Sequence, residues 1–193
     1  MTRKKNFDQD LVLEKAIELF WQKGFAATSM QDLVDHLGIS RSSLYDTYGG
    51  KENLFKESFA LYRSKNIERV KSFLESQPDV KEGLRKLFEY AIEESVNDED
   101  RKGCFVVNTT TELVPSDNKL VPILKSNKAS FENLFFEYLK KGEDSNQITK
   151  GKDLKSIASL LFTIYNGLKV VGKIAADKKS LTSSVSLVLS LLD

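Results

Sequence analysis

An all-α fold is what this chain predicts, with a three-helix N-terminal unit followed by a larger helical part, about nine helices together. Three observations carry that prediction. Apolar residues recur at i, i+3, i+4 and i+7 along most of the 193 residues, the period of a helix with one buried face. A β-branched run of useful length occurs in one place only, between Gly103 and Leu113. Capping residues and glycine or proline punctuation fall at the ends of the periodic segments.

The first helix carries Leu13, Ala16, Ile17 and Phe20 on one face and gives way to Gly24 and Phe25. Thr28 opens the second as its N-cap, and Gln31, three positions on, completes a capping box. Met30, Leu33, Val34 and Leu37 form the buried face, and Gly38 ends the helix in a left-handed C′ position. Ile39 plugs the angle to a third helix, which Ser40 caps. That helix turns Leu44 inward and keeps a nearly all-polar outer face, with Arg41, Ser42, Ser43 and Tyr45 at or near its N-terminal end. Two short helices joined by a Gly-Ile-Ser turn, over residues 29–48, are the pattern of a helix-turn-helix, whose second helix is shaped for the major groove of DNA. Arginine can pair with guanine, serine can bond to bases or phosphates, and tyrosine can reach the backbone.

From about Lys51 to Glu75 one long helix follows, stopped by Gln77-Pro78. Asp79 opens another to about Val96, with Leu84, Leu87, Phe88, Ala91 and Ile92 inward, and Asn97-Asp98-Glu99-Asp100 is an acidic loop. Phe131, Leu134, Phe135, Tyr138 and Leu139 mark a further helix ending near Gly142, with Pro122 in its first turn or kinking it. Leu154, Ile157, Ala158, Leu161, Ile164, Tyr165, Leu168 and Val171 run along the next, where Gly167, Gly172, Ala175 and Ala176 allow close approach. The last starts at Ser180 as its cap and carries Leu181, Val185, Leu187, Val188, Leu191 and Leu192. These two have more apolar surface than one core-facing stripe needs, which suits an intermolecular four-helix bundle through residues 153–192.

Composition excludes several classes. No run of eighteen apolar residues and no signal-peptide core are present, so a cytoplasmic protein without a membrane span is expected. A single cysteine, Cys104, and a single histidine, His36, leave no disulfide framework, metal cluster or His-based catalytic set. No phosphate-binding glycine loop or nucleophile–base spacing suggests an enzyme, and no cofactor is expected. The cations of residues 1–63 are matched by acids, so the N-terminal unit is formally neutral and lacks the broad basic footprint of many DNA binders. The local exceptions are a short arm, Arg3-Lys4-Lys5, and Arg41 and Lys51 on either side of the reading helix.

The runs Ala16-Ile17-Glu18-Leu19-Phe20, Lys23-Gly24-Phe25, Ala27-Thr28-Ser29, Leu37-Gly38-Ile39-Ser40, Leu44-Tyr45, Tyr48 and Lys51-Glu52-Asn53-Leu54 resemble the N-terminal domain of TetR-family transcriptional regulators. The resemblance covers residues 7–60, leaving 61–193 as a ligand-binding and dimerisation domain. It implies DNA contact by Thr28, Ser40, Arg41, Ser42, Ser43, Tyr45, Tyr48 and Lys51. One departure stands at Gly50, where the family commonly has Ser, Asp or Asn to cap the fourth helix.

The β-branched stretch from Gly103 resembles a Gly-Cys-x-x-x-Asn segment of a subset of these regulators, where it forms a helix lining the ligand cavity. A lone strand would also have no partner, so a helix is expected there. Cys104 then has two readings: a sensing thiol activated by a helix N-terminus, as in some relatives, or a small buried residue. Asn108 and Thr111, one turn apart, are placed to orient a ligand's polar end, and Phe88 and Phe135 are candidates for its apolar wall. What the resemblance implies is a homodimeric repressor, released from a palindromic operator in double-stranded DNA by a small apolar or electrophilic effector. The alternative is a ligand-independent architectural or cell-division DNA-binding protein of the same fold.

Overall fold

The structure, a computed structural model, describes residues 7–174 and 177–193. Arg3, Lys4, Lys5, Ala175 and Ala176, singled out above, lie outside the described residues. Among those described, nine α-helices and two 3-10 turns account for the regular structure, and there is no strand.

Helices α1 (Gln9–Lys23), α2 (Met30–Leu37) and α3 (Arg41–Tyr48) form the head. Helix α4 (Lys51–Glu75) runs out of it without a break and is stopped before Pro78. Helix α5 (Val80–Val96) is capped by the Asp79 side chain on the Glu82 amide. The stretch after Gly103 is helical, as α6 (Phe105–Leu113), with Cys104 as its N-cap residue. A 3-10 turn (Asn118–Leu120) leads into α7 (Val121–Asp144), which accepts Pro122 in its first turn, where no N–H is missed. Helices α8 (Leu154–Val171) and α9 (Lys178–Leu189) follow, and a second 3-10 turn ends the chain.

Two local expectations are corrected. The N-cap of α2 is Ser29, not Thr28, and its capping box closes with Asp32 rather than Gln31. Asp32 at N3 reaches back to the Ser29 amide at 2.8 Å, while the Thr28 hydroxyl is spent on the Gly24 carbonyl at 2.6 Å and the Gln31 amide on Asp35. The cap of α9 is Asp177, three residues before Ser180, because its carboxylate accepts the Lys179 amide.

Two apolar cores divide the molecule. The distal one joins the end of α4 with α5, α7, α8 and α9 around Leu74, Leu84, Phe88, Phe135, Leu139 and Leu161. The proximal one packs α1–α3 and the first half of α4 around Phe20, Leu33, Leu44, Leu54 and Phe59. It does not stop at residue 60: Cys104, Phe105, Val106 and Leu120 belong to it. The Phe105 ring lies 5.5 Å from Phe59 and 5.4 Å from Tyr62, both edge-on, a favoured aromatic geometry. The head is therefore completed by α6, a helix more than fifty residues downstream of the three that form it.

Helix α8 meets the length and mean hydropathy (1.2) of a membrane-crossing helix, with Lys155 and Lys169 inside the window and 33% of it buried. It packs on α7 and α5, so the surplus is a strip along one side. Leu160, Ile164 and Gly167 are only partly buried, and Val171 and Ile174 are exposed, which traces one face at a spacing of three and four residues.

Candidate nucleic-acid interface and the adjoining cavity

The reading helix is fixed from beneath and free above. Leu44 has no exposure and Tyr48 only 5%, so these two anchor α3 in the proximal core. Arg41, Ser42 and Tyr45 are exposed and Ser43 is half-buried. The Arg41 guanidinium lies 6.0 Å from the Tyr45 ring centre, one turn along, which couples their placements. Ser40 accepts the Ser43 amide at 3.1 Å and shares hydrogen bonds with the Ser42 and Ser43 hydroxyls.

Three residues expected on DNA have other tasks. Thr28 is 1% exposed and its hydroxyl is bonded inside the head. Tyr48 lies in the core, its hydroxyl donating to the Gln9 carbonyl at 3.4 Å, and burial pushes its phenol upward. Ser40 is exposed, but its hydroxyl is engaged as the cap of α3. An exposed neighbour that the sequence reading passed over is Asp46, beside Tyr45 on the outer face.

Gly50 gains a physical reason. It sits at φ 131°, ψ −176° ahead of α4, a region open essentially to glycine alone. No side chain caps that helix, so its first-turn amides keep their donors at the positive end of a 25-residue helix. Lys51 is folded against Phe25, its ammonium 4.5 Å from the ring centre. Desolvation there pulls its pKa down, against the pull of Glu112 and Asp32.

Glu112, at the far end of α6, is a residue that sequence reasoning missed. Its carboxylate accepts the Ala26 amide at 2.7 Å and the Phe25 amide at 3.1 Å, in the loop between α1 and α2. Gly24 makes this approach possible, with φ 81° and a position where a Cβ would stand 2.9 Å from a Glu112 oxygen.

At the other end of α6 lies a cavity of about 430 Å³. Gly103 and Cys104 form part of its wall, with rings from Trp21, Tyr62 and Tyr165 and an ionic group made by Arg69, Glu94 and Lys169. The wall is mostly apolar, as expected, and the ionic group interrupts it on one side. Burial alone would raise the Glu94 carboxyl; the partnered Lys169 and Arg69 outweigh it and hold Glu94 below its ordinary value. Phe88 and Phe135 are buried in the distal core and do not line this space.

Asn108 is drawn aside as well. Its amide donates to the Lys102 carbonyl and its oxygen accepts Lys173, both at 2.7 Å, so it ties the loop before α6 to the end of α8. Thr111 is exposed, bonded back to the Val107 and Asn108 carbonyls of its own helix. Of the five expected ligand residues, only Cys104 reaches the cavity.

Comparison with known proteins agrees with this geometry. The family model for bacterial regulatory proteins of the tetR family matches residues 12–58, the span of α1 through the first turns of α4. The HTH-type transcriptional regulator YezE of Bacillus subtilis (strain 168) is 34% identical over 194 aligned residues, covering 100% of both chains. The HTH-type transcriptional repressor ComR of Escherichia coli (strain K12) is 30% identical, over 93% of this chain and 86% of its own. Among solved structures, a cysteine mutant of the TetR family transcriptional regulator CifR, complexed with 26bp double-strand operator DNA, superposes with a TM-score of 0.85 at 26% identity, over 99% of this chain and 100% of its own. These relatives are regulators of transcription, a non-enzymatic role. The chain belongs to the tetR family of bacterial regulatory proteins and is a helix-turn-helix transcriptional regulator.

Proposed function

We propose that this regulator is a homodimeric repressor that leaves a palindromic operator when a small effector fills the cavity beside Cys104. Each protomer places α3 in the major groove, with Arg41, Ser42 and Tyr45 as its reading side chains, and the two grooves lie about 34–36 Å apart. The amides at the start of α4 take a flanking phosphate. As a reader of operators it works in the cytoplasm.

One observation carries the reading: a single nine-residue helix, α6, begins at the cavity wall, where Cys104 is its N-cap residue, and grips the head near its other end through Glu112. An effector that repositions Cys104 and Phe105 moves the α1–α2 loop with them. It weakens operator binding only by preferring the displaced state, and coupling of this kind is typically about 1–3 kcal/mol, or roughly 5–150-fold in affinity. The dimer rests on the apolar strip of α8 together with Leu187 and Leu191 beside it, 73% and 45% exposed. Support from a relative comes from CifR, solved on its operator DNA.

The test is selection of duplexes from a random library, then footprinting and sedimentation of the complex. A palindromic footprint bound by two protomers is expected. Enrichment of no sequence, or a complex holding one protomer on one half-site, overturns the reading.

A further inference from the structure

One side of the cavity carries a local positive charge in a place where packing alone would favour none. Glu94 holds two cations at once: Arg69 Nη1 lies 3.0 Å from Oε1, and Lys169 Nζ lies 2.6 Å from Oε2. The three groups sum to one positive charge. Lys169 is 9% exposed and stands between Leu168 and Val170, on the one helix among the described residues apolar enough to cross a membrane. Its ammonium has three donors, and Glu94 is the hydrogen-bond acceptor that the structure gives it. Beyond Glu94 its ammonium has only the Tyr165 ring, 5.7 Å from its centre, which leaves a buried ion with donors unspent.

The other charges of the wall leave this excess local to the Arg69, Glu94 and Lys169 group. Lys65 and Lys102 are each paired to an acid outside the cavity, Glu14 at 2.5 Å and Asp100 at 3.0 Å. Asp98, the remaining carboxylate, is held by the Gly103 amide at 2.7 Å and forms no ion pair with Arg69 or Lys169, so it balances the wall's formal charge without supplying their missing acceptor. Facing the ionic group are flat apolar surfaces. Trp21 and Tyr62 meet edge-to-face at 5.2 Å, with the Trp21 indole nitrogen tied to the Lys102 carbonyl, and Tyr165 completes the lining. Arg69 spends Nη1 on Glu94 and Nη2 on Asn66, which leaves guanidinium donors for a further acceptor.

We propose that the cavity takes a compact aromatic carboxylate, its anionic head on Lys169 and Arg69 and its ring among Trp21, Tyr62 and Tyr165. Such a ligand supplies both a further acceptor and the negative charge that the Arg69, Glu94 and Lys169 group lacks. A volume of about 430 Å³ is at the small end of ordinary ligand pockets, which limits the body to one or two fused rings. This ligand class rests on the effector-responsive reading above and narrows it.

Trp21 is the chain's one tryptophan and lines the site, so its fluorescence reports occupancy. Naphthoate and naphthamide have the same rings and nearly the same shape and differ in charge. Titrated into the full-length protein, naphthoate is expected to quench Trp21 saturably, with naphthamide weaker by about tenfold or more. Lys169→Met should erase the difference and Glu94→Gln should widen it. Equal binding of the two compounds, quenching by neither, or an acid preference that survives Lys169→Met overturns the proposal, and the first two outcomes need no variant to fold. Operator binding followed by fluorescence anisotropy separates the two readings. If naphthoate quenches Trp21 yet leaves operator affinity unchanged, the ligand class stands and the effector role falls. Binding of operator by a protein that ignores naphthoate keeps the repressor and removes the ligand class.

Discussion

The Glu112 carboxylate stands 2.7 Å from the backbone nitrogen of Ala26, a contact between residues 86 apart in sequence. With the Phe25 amide it joins α6 to the loop that sets the angle between α1 and α2. Glu112→Gln keeps one acceptor oxygen and loses the charge that strengthens both bonds. About 1–2 kcal/mol of stability should be lost in urea unfolding. The more telling change is in coupling: the variant should bind operator while losing most of its response to a cavity ligand. Full response in Glu112→Gln would show that the signal travels by α4 instead.

Arg41 and Thr28 were given the same role by sequence and have opposite places in the structure. Arg41→Ala should weaken operator binding by about 1–3 kcal/mol and relax preference at one base pair, with unfolding unchanged. Thr28→Val removes the buried hydroxyl that donates to Gly24, so it should cost about 1 kcal/mol of stability and leave base preference untouched. Selection experiments on both variants check this; a changed consensus in Thr28→Val would put that residue back on the DNA.

Gly50→Ala isolates backbone conformation from space. The nearest atom to an added Cβ is a Tyr45 ring carbon at 3.4 Å, an ordinary contact, so the φ of 131° is the obstacle. Roughly 1–3 kcal/mol of strain is expected, read as a lowered Tm together with weaker operator binding as the first turn of α4 shifts. Unchanged Tm would mean that the α3–α4 corner relaxes freely.

Legibility followed the range of the physics involved. Helix ends written by local rules were readable: Gly38 at φ 69°, Asp79 as a cap and the full extent of α4 all match. Thr28 was misread because Ser29 beside it is an equally good cap, and only the contact to Gly24 distinguishes them. Phe88 and Phe135 have the periodicity of core and of cavity wall alike; which they are depends on neighbours from α7 and α8. The ionic group of Arg69, Glu94 and Lys169 was invisible, since charges on α4 and α5 look like a solvated face until α8 is laid across them. Lys169, set among Leu168, Val170 and Val171, was the one available signal.

Asp32 gives the head a pH dependence with a definite sign. A hydrogen bond from Lys23, then those from Ser29, hold its carboxyl well below the ordinary value of 3.8. A depressed carboxylate contributes stability that is complete above the unfolded value and is lost as pH falls toward the folded one. The head should therefore lose stability progressively below pH 3.8, and Asp32→Asn should flatten that part of the profile. An unchanged acid limb in the variant would assign the loss to other carboxylates.

The apolar strip on α8 and α9 is the remaining surface that water disfavours. Val170, Val171, Ile174, Leu187 and Leu191 are each at least 44% exposed, and a Cβ added at Gly167 would meet nothing within 4 Å, which leaves room for a second helix to approach. Scattered exposed apolar residues are ordinary, but several large ones near the ends of α8 and α9 fit the dimer interface proposed above. In a two-fold dimer each substitution acts twice, so Leu187→Glu places two carboxylates in one apolar bundle. Sedimentation should show a dimer for the parent chain at micromolar concentration and a folded monomer for the variant, with helical content by circular dichroism unchanged. Operator affinity should then fall steeply, because a neutral head with one reading helix lacks the charge to hold DNA alone. A Leu187→Glu protein that remains dimeric would move the interface to another face, and a monomeric one with full operator affinity would remove the need for a dimer.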